Sequence, residues 1–153
     1  MKWKHPPIIK IYEALGTVAD GRVKIDQNKA KVFSSSGNKY YDVVFDKESR
    51  AIMSNDNGSY WRGYLGYPSI AYLMSVGEIS YSNDVGNILK EIPWKNLNQD
   101  FKNDFDKTLK YIEYSVGKEN SLKLAELAKK VDSELQSLGL KMLGKRIIPP
   151  EGY

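Results

Sequence analysis

Few side chains in this 153-residue sequence could do chemistry unaided. It has no cysteine and a single histidine. That excludes disulfides, thiolate metal sites, iron–sulfur clusters and a cysteine nucleophile. His5 stands beside Pro6-Pro7 near the start, with no second ligand in reach, and reads as an exposed terminal side chain. Two carboxylate pairs stand out, Asp42/Asp46 and Asp104/Asp106. On a strand the first pair shares a face but lies roughly 13 Å apart, too far for an acid/base pair. The second pair sits on adjacent sides of a helix and reads as solvated. Gly63-Tyr-Leu-Gly66 lacks the third glycine and the Gly-Lys-Ser/Thr ending of a phosphate loop. Counting a calcium loop from Gly58 puts Met53 and Tyr64 where carboxylates are needed. No metal and no cofactor is expected.

One stretch remains. Tyr60, Trp61, Tyr64, Tyr67 and Tyr72 surround Arg62 and follow a lysine-rich region. Cations neutralise phosphates and aromatic faces stack on bases, so this mixture suits a nucleic acid. The same rings could instead cover a sheet and form core. Charge favours the same region. Residues 1–50 hold ten Lys/Arg against six Asp/Glu, a net of +4. Residues 51–100 carry −2 (three against five), and the rest +2 (ten against eight). The candidate phosphate contacts are Lys24, Lys29, Lys31, Lys39, Arg50 and Arg62, with Trp61 and Tyr64 as stacking platforms.

These residues need elements to hold them. Pro6-Pro7 opens a helix, with Ile8, Ile11, Tyr12, Leu15 and Val18 or Ala19 at helical spacing, ended by Asp20-Gly21. Four short strand-like runs follow, 22–26, 30–35, 39–46 and 50–54, separated by Asp26-Gln27-Asn28, Ser36-Gly37-Asn38 and Asp46–Ser49. They predict an antiparallel meander of three or four strands. A loop to Tyr67 leads to a helix at Pro68–Val76. Ser82 or Asn83 caps another, with Val85, Ile88, Leu89 and Ile92 on one face and Pro93 closing it. Asn96 opens a helix reaching Val116. The last helix starts near Asn120, with Leu124, Ala128, Val131, Leu135, Leu138 and Met142 on a seam of period 3.5. That seam could pack on the preceding helix or mediate self-association. Ile147-Ile148-Pro149-Pro150 reads as an extended tail.

The expected fold is α+β: an N-terminal helix, a small antiparallel sheet, then about four helices. One domain is expected over 1–153, with a subdivision near 92–96 into a mixed part, 1–92, and a helical part, 96–146. No apolar run of secretory or membrane length is present, so a soluble, cytoplasmic protein with no membrane partner is expected.

Residues 22–77 carry a resemblance. Gly21-Arg22-Val23 leads into Val32-Phe-Ser-Ser-Ser-Gly-Asn-Lys-Tyr-Tyr-Asp-Val-Val44, then a loop, then Gly66-Tyr-Pro-Ser-Ile-Ala-Tyr-Leu-Met74. The order resembles the ββα scaffold of a SWIM-type zinc finger in degenerate form. Where that family has cysteines and a histidine, this sequence has Ile52, Ser54, Pro68 and Ile70. The resemblance therefore implies no zinc, with Ile52 and Ile70 replacing the metal by apolar packing. It also implies a partner that is nucleic acid or protein. The leading expectation is a non-catalytic nucleic-acid-binding or adaptor protein, with DNA or RNA as partner. The second is a module for protein interaction or self-association, through the 124–142 seam and the 147–153 tail. An enzyme of unrecognised type comes third.

Overall fold

The computed structural model describes residues 1–151. Four strands form the expected meander: β1 (Val23–Asp26), β2 (Lys29–Phe33), β3 (Tyr40–Asp46) and β4 (Ala51–Ser54), each antiparallel to the next. Register partners share a face, so Lys24, Lys31 and Asp42 form one outward row. Asp26, Lys29 and Val44 form the next. Val23, Val32 and Tyr41 face inward, as do Ala30, Val43 and Ser54.

The sheet has a fifth strand that alternation could not announce. β5 (Lys141–Met142) pairs in parallel with β4, Ala51 opposite Lys141 and Ile52 opposite Met142. The N-terminus then lies along β5. The amide of Met142 donates to the Met1 carbonyl at 2.8 Å, and that of Trp3 to Leu140 at 3.1 Å. The buried Trp3 indole N–H donates to the Ile52 carbonyl at 2.8 Å.

Helix α1 (Ile8–Ala19) is buried nearly all round, with Ile9, Ile11, Tyr12, Ala14 and Leu15 in the core. Ile8 is exposed, so the buried face is centred on Ile9 and Ile11. A single turn of π-helix (Gly58–Arg62) precedes α2 (Tyr67–Ser75). Every α2 residue from Pro68 to Met74 is buried, because the helix lies across β1 to β4 on one side and against α1 on the other. The positions matching zinc ligands in the resemblance, Ile52, Ser54, Pro68 and Ile70, are all buried here.

The helical half is more broken than its periodicity suggests. The expected helix from Asn83 to Ile92 is α3 (Asn83–Gly86) plus one 3-10 turn at Asn87–Leu89. Glu91 then takes a left-handed φ of 65° and donates its amide to Asp20 Oδ1 at 2.7 Å, turning the chain back to the end of α1. The expected helix from 96 to 116 is two, α4 (Trp94–Asp100) and α5 (Phe105–Val116). Lys102 and Asn103 take positive φ between them, and Asp104 caps α5 by accepting from the Lys107 amide at 3.2 Å. A capping side chain offers the backbone a competing partner, and here it ends one helix to start another.

Helix α6 (Lys118–Leu138) begins at Gly117, earlier than expected. Its seam is spent inside the chain. Leu124, Ala128, Val131 and Leu135 are buried in the main core, and Leu138 and Met142 pack against it, Met142 from β5 rather than from the helix. The seam is thus no free self-association face. One apolar cluster runs from Trp3 to Leu140 across both the 1–92 and 96–146 parts. Among the described residues no helix is long and apolar enough to cross a membrane. The tail proposed for self-association is exposed at Ile147 and Ile148, and its last residues, Gly152 and Tyr153, lie outside the described residues.

Candidate functional site

A cleft of about 730 Å³ opens between the β2–β3 turn, the π-turn, the α1 face and the α4–α5 segment. That volume is in the range of small-ligand sites. Sequence-distant residues meet there because the buried α1 and α2 bring the π-turn, the sheet end and α4 together.

The deep side is built from α1. Glu13 is buried, a costly position for a carboxylate without partners. Its Oε1 accepts from Lys10 Nζ at 2.9 Å and from Asn98 Nδ2 at 3.2 Å. Burial, the largest single influence, pulls Lys10 down, but the charge of Glu13, that of Tyr64, the hydrogen bond to Glu13 and the charge of Asp56 together outweigh it and hold the ammonium above its ordinary value. Asn98 keeps its Oδ1 buried without a partner.

Asp56 anchors the π-turn. Its Oδ1 accepts from Ser54 Oγ at 2.8 Å and Ser59 Oγ at 2.6 Å, and its Oδ2 from the Ser59 amide at 3.2 Å. Burial raises its carboxyl, while the bonds from Ser59 and Ser54 oppose the shift. Gly66 lies so close that a Cβ there would be 2.1 Å from Asp56 Oδ2. Gly58 is similarly tight against the Tyr64 ring, at 2.4 Å. These two contacts require glycine. Burial also raises the phenols of Tyr64 and Tyr67, the latter well above its ordinary value.

Trp61 stands at the mouth, 67% exposed, packed edge-on against Tyr60 with ring centres 4.7 Å apart. Arg62 lines the same wall. Across from it, Lys39 comes from the β2–β3 turn and lies 5.6 Å from the centre of the Tyr41 ring. Burial first, then the neighbouring Lys95, lowers the Lys39 ammonium. Arg22 is held at two nitrogens, Nη1 donating to the Phe33 carbonyl at 2.8 Å and Nε to Asp20 Oδ2 at 3.3 Å. Its third, Nη2, is buried without a partner.

The eight residues singled out from sequence do not share one face. Lys39, Arg62, Trp61 and Tyr64 meet in the cleft. Lys24, Lys29 and Lys31 lie on the outward face of the sheet, interleaved with Asp26 and Asp42, and Lys31 Nζ sits 4.7 Å over the Tyr40 ring. Arg50 lies elsewhere, in a groove with Glu78 and the second half of α6. Sequence reasoning missed Lys10, Glu13, Arg22, Lys95 and Asn98. One signal was available: Lys10 and Glu13 are the only charges within the otherwise apolar run 8–19. His5, expected to be a loose end, pairs with Asp132 on α6. Asp42 and Asp46 are exposed, and Asp104 is a cap. Among the described residues no group of three His, Asp or Glu could hold a metal ion.

The chain belongs to the family described as Uncharacterised conserved protein UCP014422, whose model matches residues 3–142. No curated protein and no solved structure matches it.

Proposed function

We propose that this family member is a non-catalytic binding protein for single-stranded nucleic acid, holding one nucleotide in the cleft. The observation that carries this reading is the meeting of Lys39, Arg62 and Lys95 with the exposed Trp61 and with Tyr64 around one cavity. Trp61 offers a free face for a base, and stacking is worth about 1–3 kcal/mol per base. The three cations stand where flanking phosphates would run. A duplex buries its bases in stacked pairs, so it cannot present one to Trp61. The outward lysines Lys24, Lys29 and Lys31 play no part, because acids interrupt their rows and the sheet separates them from the cleft.

The two carboxylates of the cleft support a binding role over a catalytic one. Glu13 is tied to Lys10 and Asn98, and Asp56 accepts three hydrogen bonds from its own loop. Both act on the protein's own structure.

Tryptophan fluorescence titration tests the proposal, using single-stranded DNA and RNA and a duplex of the same sequence. Binding of single strands over duplex is expected. Three phosphate contacts predict a slope of log K against log salt near about −2, from ~0.7 per contact on a single strand. Binding that does not depend on salt, or a preference for duplex, contradicts it.

A further inference from the structure

We propose that this chain forms a symmetric dimer by pairing β1 with β1 of a second copy, which joins the two sheets edge to edge. The proposal goes beyond the single-strand reading and does not rest on it. The strand order β1-β2-β3-β4-β5 leaves two edges. The β5 edge is covered by the chain's own N-terminus, where Lys2 bridges Lys141 and the Met142 amide donates to the Met1 carbonyl. The β1 edge is open. The Phe33 amide donates to the Arg22 carbonyl at 2.9 Å, so Arg22, Lys24 and Asp26 are the residues whose main chain bonds toward β2. Val23 and Ile25 alternate with them and turn their N–H and C=O groups outward. Among the described residues no other main chain bonds to either. An edge of unpaired amides and carbonyls is a template for another strand.

Ile25 shows what this edge leaves uncovered. It belongs to the inward row of Ala30, Val43 and Ser54, which are 4%, 0% and 1% exposed, yet Ile25 itself is 47% exposed. Charge selects both the occupant and the register. About a two-fold axis, Val23 opposite Val23 sets Lys24 against the other copy's Arg22. Val23 opposite Ile25 sets Lys24 against Lys24. Ile25 opposite Ile25 sets Lys24 against Asp26 on both sides of the axis and lays the two isoleucines together. Within one chain Lys24 stands opposite Lys31 on β2, and among the described residues neither Lys24 nor Asp26 makes an ion pair. A second copy thus supplies Lys24 with the acid that its own sheet does not place opposite it.

Sedimentation velocity of the full chain over a concentration series tests this. The mass is expected to rise reversibly from the 17.4 kDa monomer toward twice that value. Lys24→Glu places a carboxylate opposite Asp26 at both pairs, and Asp26→Lys places an ammonium opposite Lys24. Each variant alone is expected to weaken the dimer at least about tenfold, since like charges set directly opposite are destabilising. An equimolar mixture of the two variants restores opposite charges at both pairs and is expected to dimerise as the unmodified chain does. Ile25→Glu, at an exposed position, is expected to give a folded monomer, with circular dichroism reporting the fold. A chain that stays monomeric up to about 1 mM would overturn the proposal. A dimer that survives both Lys24→Glu and Ile25→Glu would use another surface and would overturn it too. Single variants that are monomeric alone and remain so when mixed would overturn the Lys24–Asp26 register.

Discussion

Trp61 sits on a turn held from several directions. The Tyr60 amide donates to the Asp56 carbonyl, the Gly63 amide to Ser59, and Arg146 Nη1 to the Tyr60 carbonyl at 3.0 Å. A largely exposed indole on a tethered turn buries little area of its own, so its removal should cost binding rather than stability. Trp61→Ala is expected to weaken single-strand binding ~5- to 150-fold, the equivalent of one stacked base. Its unfolding free energy should stay within about 0.5 kcal/mol of the unmodified chain, measured by urea unfolding. Asp56 makes the opposite case. Burial holds its proton more tightly in the folded chain than in the unfolded one, where the ordinary value is 3.8. Its contribution is therefore complete below that value and is lost as pH rises through the raised folded value. Asp56→Asn is expected to flatten this part of the stability–pH curve, followed by urea unfolding from about pH 4 to 8. The amide nitrogen cannot accept from the Ser59 N–H, so at low pH the variant is also less stable, by about 1–3 kcal/mol. At this scale the sequence marked Trp61, Arg62 and Tyr64 through their local mixture of rings and charge. Arg22 and Lys95 carried no such mark, because their meaning arises only from what they face.

The elements were legible where one local rule governed them. Strands β1 to β3 follow period-two alternation and β4 is a short run buried at every position, all bounded by Asn, Gly, Asp or Ser, and those signals are set within a few residues. β5 was not legible, since two residues have no period and their pairing is with Ile52, some ninety positions earlier. The split between α4 and α5 was hidden because Phe101, Phe105 and Leu109 keep a helical spacing across a break made by Asp104 capping. Packing between elements holds the meander against α2. Ile52 on β4 and Ile70 on α2 are both fully buried in one cluster. Ile52→Ala and Ile70→Ala are each expected to lower stability by about 2–5 kcal/mol, read from urea midpoints with the slope unchanged. A chelator should leave the unmodified chain's melting temperature where it was.

Across the whole molecule, the α6 seam shows how one pattern supports two readings. A period-3.5 stripe of Leu, Ala and Val serves a partner helix equally well in the same chain or in another, and only the contacts of α6 with α1, α3 and α5 decide between them. A chain ending at Gly117 loses Leu124, Ala128, Val131 and Leu135 from the core, and is expected to lose cooperative thermal unfolding in calorimetry. The cleft belongs to this scale too. Its walls run from Lys10 to Phe105, so no window of sequence contained it. The overall positive charge of the first fifty residues joined two surfaces, the outward sheet face and the cleft, that the fold separates. That separation gives the most direct measurement: single-strand affinity of two charge-reversal variants compared at one low salt concentration. Lys39→Glu with Arg62→Glu alters the cleft, and Lys24→Glu, Lys29→Glu and Lys31→Glu together alter the outer face. The account predicts that the cleft variant loses at least about tenfold while the triple variant keeps its affinity within about threefold. Loss in the triple variant with binding retained in the cleft variant would contradict it.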